Sequence, residues 1–272
     1  MQVEAEGTDP EDAPDKERAG IQSVEVGFAL LDVLAQAKGP LMLRDLAAAA
    51  GMSAAKAHRY LVSFQRLALV TQDSRNNRYD LGPAALRLGL AALARTDAVK
   101  LARERVGPLM AQIGHTLALA VWGNHGPTIV HWEESPEAIT VNLRLGDVMP
   151  LLASATGRCF AAYVAPDAIA PLLKEELARA QKQGRTDLPG SATALQALLA
   201  EVRTHGAARV VGTLLPGVTG FCVPVFDADG HIALGLTALG SQAMVDADWD
   251  GAVCRPLKEA AAQWSLDLGQ RP

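Results

Sequence analysis

The sequence predicts an α+β protein: an N-terminal winged helix-turn-helix, a linker helix, and a C-terminal domain of helices around an antiparallel sheet. Three observations lead there. Residues 43–82 hold two short apolar-periodic helices split by a glycine and followed by a hairpin. Residues 98–268 mix helical stripes with short β-type runs. Basic charge is concentrated in the first of these regions, although the chain as a whole carries −5.

Residues 1–20 read MQVEAEGTDPEDAPDKERAG, with seven acidic and two basic side chains and no apolar run. That is not a secretory signal, and its composition predicts a disordered acidic tail. The tail accounts for the whole formal charge of −5. Residues 21–272 are therefore near neutral, and the low pI does not argue against a nucleic-acid partner.

The winged helix-turn-helix is expected over residues 21–82. A first helix covers about residues 24–37 and ends before Gly39-Pro40. In the second, Leu43, Leu46, Ala47 and Ala50 repeat at helical spacing up to Gly51, which can adopt the positive φ of a tight interhelical turn. Ser53 is a good N-cap for a third helix with Ala57, Leu61 and Phe64 on its inner face, while Lys56 does not complete a capping box. Residues 68–70 lead into a strand, Ser74 to Asn77 form a polar turn, and residues 78–81 return.

Between Ser53 and Tyr79 five basic side chains, Lys56, Arg59, Arg66, Arg75 and Arg78, face one acid, Asp73. A basic helix beside a basic wing is an electrostatic footprint for phosphates, so double-stranded DNA is the expected partner. The candidates for contact are Ser53, Ala54, Ala55, Lys56, His58 and Arg59 on the helix, with Arg75 and Arg78 on the wing. Ala54 and Ala55 can offer a base only apolar contact, for instance with a thymine methyl. Tyr60, Leu61 and Phe64 are read as core.

Pro83 suits the first turn of a linker helix over residues 83–96. Leu86, Leu90 and Leu93 lie on one side of it, and Ala85, Leu88 and Ala92 on another. A short helix apolar on two sides buries both, either against a second copy or within one chain.

The remaining domain, residues 97–272, opens with a helix at about 98–113. Strands are expected at 117–122, 128–133 and 139–145. Helices follow at 157–165, 166–183 and 192–205. Two further strands, 221–226 and 231–239, are joined by the turn Asp227-Ala228-Asp229-Gly230. A last helix covers about 249–268. Helices flanking an antiparallel sheet make an α+β domain. Ser154-Ala155-Thr156-Gly157 marks a loop entering a helix, whose free amides suit a carboxylate.

Cys159, Cys222 and Cys254 are few, odd in number and far apart, which fits reduced thiols in a cytoplasm rather than a disulfide framework. No CxxC or HExxH pattern occurs, and His131 with Glu133 is too few groups for a metal, so neither metal nor cofactor is expected. No apolar run is long enough to span a bilayer.

Four stretches together resemble the isocitrate lyase regulator (IclR) family of bacterial transcription factors: LAAAAGMSAAKAHRYLVSFQRL (46–67), RYDLGPAALRLG (78–89), LLASATGRCFAA (151–162) and GVTGFCVPVFDADGHIALGLTALG (217–240). Their order and spacing carry the likeness, from about residue 21 to 268. The resemblance implies a GAF-like effector domain, dimers or tetramers, and control of catabolic or transport operons by small metabolites. It matches Arg59 to the family's helix arginine. It also implies an effector pocket using the amides of Ala155 and Thr156, beside Gly157, and polar positions at Gly220, Thr237 and Leu239. Here glycine and leucine replace polar residues at two of those three. With Val141, Leu143, Met149, Val218 and Phe221 as possible apolar walls, the expected ligand is a carboxylate with an aromatic or branched body.

Two other readings remain. A cysteine enzyme would use Cys159 or Cys222 with His131 or His231, but no nucleophile elbow or phosphate loop supports it. An effector-independent DNA binder would leave the second domain without a ligand.

Overall fold

The structure, a computed structural model, describes residues 20–93, 97–136 and 142–271. The acidic tail up to residue 19, the end of the linker at 94–96, and Val141 lie outside the described residues. The chain divides into two compact units, Met1–Ala91 and Ala92–Pro272.

The first unit runs α1 (Gln22–Gln36), β1 (Leu41–Met42), α2 (Leu43–Ala49), α3 (Ala54–Arg66), β2 (Val70–Gln72) and β3 (Arg78–Leu81). Helix α4 (Pro83–Leu93) begins in this unit and reaches the boundary. The three strands are antiparallel in the order β1-β3-β2. The two-residue strand β1 was not expected from the sequence.

Gly51 has φ +64° and ends α2 in a Schellman arrangement: the Met52 amide donates to Ala47 O and the Gly51 amide to Ala48 O. Ser53 Oγ then accepts the Lys56 amide at 3.3 Å and starts α3. The core joins Leu30 and Leu34 of α1, Leu46 of α2, Ala57 and Leu61 of α3, and Tyr79 of β3. Each buried leucine contributes roughly 1.5–3 kcal/mol. Gly27 lets α1 approach closely, since a Cβ there would lie 3.0 Å from the Tyr60 ring and 3.1 Å from that of Phe64.

The second unit is a five-stranded antiparallel sheet in the order β5-β4-β8-β7-β6. Its strands are β4 (Thr116–Gly123), β5 (Gly126–Glu133), β6 (Ala208–Val211), β7 (Val218–Phe226) and β8 (Ile232–Ser241). Helices α5 (Ala98–Ile113) and α9 (Cys254–Asp267) pack on one face around Phe221, Leu234, Leu236 and Leu257. Helices α6 (Ala155–Tyr163), α7 (Pro166–Lys182) and α8 (Ala192–His205) cover the other around Leu152, Cys159, Leu199 and Cys222. Asp97 caps α5 by accepting the Val99 and Lys100 amides, and Gly114 ends it with φ +77°.

Three sequence expectations change. Strand β6 was not foreseen. The strand expected at 139–145 is absent from its described part, residues 142–145, and only an isolated bridge between Thr128 and Val148 ties this region to β5. The last helix starts at Cys254 rather than near 249. There Asp246 holds the preceding loop by accepting the Asp248 and Ala252 amides, and Trp249 stacks on His205 with centroids 4.1 Å apart. The Arg209 guanidinium lies 4.2 Å from the same ring.

Candidate DNA interface and effector pocket

Helix α3 turns Ala57 and Leu61 into the core, which leaves Ser53, Ala54, Ala55, Lys56, His58 and Arg59 on its exposed side. Among the described residues none of Lys56, Arg59 and Arg75 is held in an ion pair. Asp73, the one acid in this stretch, is turned into the wing, where its carboxylate accepts the Arg75 amide and the Asn76 side chain at 2.8 Å each. The wing thus presents Arg75 without an ion-pair partner among the described residues. Arg78 is also exposed, but one guanidinium nitrogen donates to Pro40 O at 3.0 Å. It therefore braces the segment before β1 and keeps only its remaining donors for another partner. Arg44, exposed at the start of α2, adds a cation that lies outside the stretch counted from the sequence.

In the second unit a cavity of about 50 Å³ lies where α6 begins over β7 and β8. It brings together Met149, Ala155, Thr156, Gly220, Thr237 and Leu239. Leu143, Val210, Leu214, Leu215 and Val218 complete its apolar walls, and Ser154 borders it. Thr156 Oγ1 and Thr237 Oγ1 are 2.8 Å apart and hydrogen-bonded to each other. Among the described residues the first-turn amides of Ala155 and Thr156 have no acceptor, as expected of a helix start. Gly220 leaves space: a Cβ there would make only ordinary contacts, 3.6 Å from Ala238 O and 3.7 Å from the Ala155 methyl.

Two expectations for this site are corrected. The Gly157 amide is not free, because it donates to Ser154 Oγ at 2.8 Å. Gly157 does not line the cavity; a Cβ on it would sit 1.9 Å from Pro150 O, so the residue is there to let the backbone pass. Phe221 faces the α5 and α9 side of the sheet, since neighbouring strand residues point to opposite faces.

The loop into α6 is held by groups that sequence reasoning missed. The Glu176 carboxylate accepts the Leu151 amide at 2.7 Å and the Leu152 amide at 2.9 Å. Arg158 donates to Leu152 O at 2.7 Å and to Arg209 O of β6 at 3.0 Å. Burial lowers the Arg158 guanidinium pKa, against the opposing pull of Glu201, Asp187 and Glu176. Nothing in the spacing of Arg158 or Glu176 marks them in the sequence. Leu214-Leu215 carried a signal, an apolar pair on a loop bracketed by Gly212 and Gly217.

The other chemistry weighed from the sequence is built differently. Cys159, Cys222 and Cys254 are all buried. Burial, with the neighbouring Cys222, pushes the Cys159 thiol well above the usual cysteine range, the opposite of an activated nucleophile. His131 Nε2 lies 3.1 Å from Glu133 Oε2 as a pair on β5. Asp227, Asp229 and His231 cluster at the β7–β8 turn, where Asp227 Oδ1 accepts the amides of the other two and shapes the turn.

Two family models match. The IclR helix-turn-helix domain covers residues 23–74, and the bacterial transcriptional regulator IclR C-terminal domain covers residues 90–266. The chain belongs to the IclR family. This IclR-family chain is 30% identical to the glycerol operon regulatory protein of Streptomyces griseus, over 92% of this chain and 97% of that protein. It is 26% identical to the HTH-type transcriptional regulator BhcR of Paracoccus denitrificans, over 94% and 90%. The crystal structure of Pseudomonas aeruginosa HmgR superposes with a TM-score of 0.83 at 37% identity, covering 92% of this chain and 99% of that one. The IclR-family chain is a bacterial DNA-binding transcriptional regulator with an effector-binding domain, and not an enzyme. None of its described helices is long and apolar enough to cross a membrane.

Proposed function

We propose that this regulator binds its operator as a homodimer, or a homotetramer built from dimers, and that a small aromatic or branched organic acid sets its DNA affinity. The cavity at the start of α6 carries the reading. It offers unpaired amides at Ala155 and Thr156 and the Thr156–Thr237 hydroxyl pair within apolar walls. Amides at a helix start hold a carboxylate without a buried cation. Leu239 and Gly220 keep the rest of the wall apolar, which favours a hydrocarbon body over a two- or three-carbon acid.

On DNA, α3 enters the major groove with Lys56, His58 and Arg59 toward bases or phosphates. Ser53, Ala54 and Ala55 meet the groove at its tip, and Arg75 and Arg78 reach the flanking backbone or minor groove. Leu86, Leu88 and Leu90 of α4 are all more than half exposed in the single chain, as are Ile21, Val24 and Phe28 of the first helical segment. A second copy would bury them. The likeness to the glycerol operon regulatory protein supports control of a catabolic or transport operon, and this reading places that control in the cytoplasm.

Gly220→Val tests the pocket. The added isopropyl group takes up space at the cavity wall beside the Ala155 methyl and suits a strand. A ligand at a hundred times its Kd stabilises the native state by about 2.7 kcal/mol, which corresponds to roughly 5–10 °C in Tm for a unit of this size. The parent should show such a shift with aromatic or branched acids, and Gly220→Val should lose it while keeping its unliganded Tm. Equal shifts in both would place the effector elsewhere.

A further inference from the structure

A cavity of about 50 Å³ holds one or two waters, whose share of the liquid is about 30 Å³ each. It is far below the roughly 300–1,000 Å³ of ordinary ligand sites. Beside it lies a groove of about 580 Å³ along α7. Met149 and Leu214 line both. We propose that Met149 and Leu214 form a partition that the effector crosses, with its carboxylate at the start of α6 and its far end in the α7 groove. The ligand is then an aromatic acid bearing a neutral hydrogen-bonding group at the end away from its carboxylate. The proposal rests on the pocket reading above and extends it to a distal subsite and to the residues that set ligand length.

The two partition residues are suited to give way. The Met149 amide is pinned to Pro127 O at 2.7 Å, so its backbone stays while an unbranched thioether side chain changes rotamer. Leu214 is half-buried on the loop between β6 and β7. Gly212 and Gly217 flank that loop with φ +68° and +77°. Arg185 anchors the loop next to Leu214, donating to Thr213 O at 2.9 Å.

The charges of the groove select the distal group. Arg185 is paired with Asp187 at 2.6 Å, and Arg179 with Glu175 at 2.7 Å. Among the described residues each of these cations is already offset by a carboxylate, for which a second acid on the ligand would have to compete. Glu176 is a further negative charge there, already committed to the Leu151 and Leu152 amides. A second anionic group would add unbalanced charge beside carboxylates that Arg158, Arg179 and Arg185 already offset, whereas a hydroxyl can bond to His125 or Gln183 on the groove wall.

The test is calorimetry on the full chain with three acids: propanoate, 3-(4-hydroxyphenyl)propanoate and 3-(4-carboxyphenyl)propanoate. The hydroxyphenyl acid should bind at least tenfold tighter than either of the others. Leu214→Trp should cut the preference for the hydroxyphenyl acid over propanoate at least tenfold. Leu214→Ala, which thins the partition, should bind the hydroxyphenyl acid at least as tightly as the parent does and guards against a misfolded tryptophan variant. Thr237→Val should weaken the hydroxyphenyl acid and propanoate alike. If Thr237→Val weakens both while Leu214→Trp changes neither, or changes both equally, the partition is wrong and the proximal pocket stands. A carboxyphenyl acid that binds as well as the hydroxyphenyl one overturns the charge argument. If Thr237→Val changes nothing, or no acid binds, the pocket reading fails and the partition with it.

Discussion

Arg59 and Lys56 face outward because Ala57 and Leu61, their neighbours on α3, are buried. That alternation is a consequence of helical periodicity and could be read from the sequence. Arg59→Ala should therefore weaken operator binding while leaving the fold intact. A lost guanine contact would cost about 1–3 kcal/mol and act selectively on one base pair. A lost phosphate contact would act evenly across sequences and flatten the salt dependence. Anisotropy titrations on the operator and on single-base variants at several salt concentrations separate the two, and unchanged affinity removes Arg59 from the interface. Other residue roles were not legible. Arg78 looks in sequence like a free wing cation, yet its bond to Pro40 O depends on a strand pairing 38 residues away. Glu176 and Arg158 act on the backbone of a distant loop, and such contacts leave no periodic trace. Gly157 is visible as a glycine, but the reason for it, the passage of Pro150 and Leu151, is a tertiary fact.

At the level of elements, long helices and self-contained hairpins were legible and short or borrowed strands were not. Helix α5 forms at Ala98–Ile113, where a helix was expected at about 98–113, and the β7–β8 hairpin follows from Asp227-Ala228-Asp229-Gly230. Strand β1 is two residues long and exists because β3 offers Arg78 and Tyr79 as partners. Strand β6 is a four-residue edge strand held by β7 alone. The candidate pocket is likewise assembled across elements, from the start of α6, alternate residues of β7 and β8, and the loop carrying Leu214. Its polar edge could be read in Ser154-Ala155-Thr156-Gly157, whereas the wall from Leu214 and Leu215 needed the fold. The start of α6 is its most constrained part. Gly157→Ala would place a methyl 1.9 Å from Pro150 O and 2.6 Å from Leu151 Cα, so either that loop or the helix must move. The variant should lose about 2 kcal/mol or more of stability and lose acid binding. Thermal melts with and without acid check this, and a parent-like Tm would contradict the close backbone passage.

For the molecule as a whole, the two units differ in what they carry: one has the exposed basic helix and wing, the other the cavity at the start of α6. The three cysteines belong to packing rather than chemistry. Burial raises the Cys159 thiol and pushes that of Cys254 up to about 11. In native protein at pH 8 a thiol reagent should therefore label these sites slowly, and all three should react once denaturant unfolds the chain. Rapid native labelling of Cys159 would reopen a nucleophilic role. The central claim is that acid in the second unit changes DNA binding by the first. By linkage, an acid that alters operator affinity by some factor must have its own affinity altered by operator by the same factor. The most direct measurement is operator affinity by fluorescence anisotropy, titrated with the acid that most raises Tm, alongside acid affinity measured with and without operator. The account predicts one dimer on two half-sites about one helical turn, or a multiple, apart. It also predicts matching shifts of fivefold or more in the two titrations. An acid that binds the pocket tightly yet leaves operator affinity unchanged would contradict it.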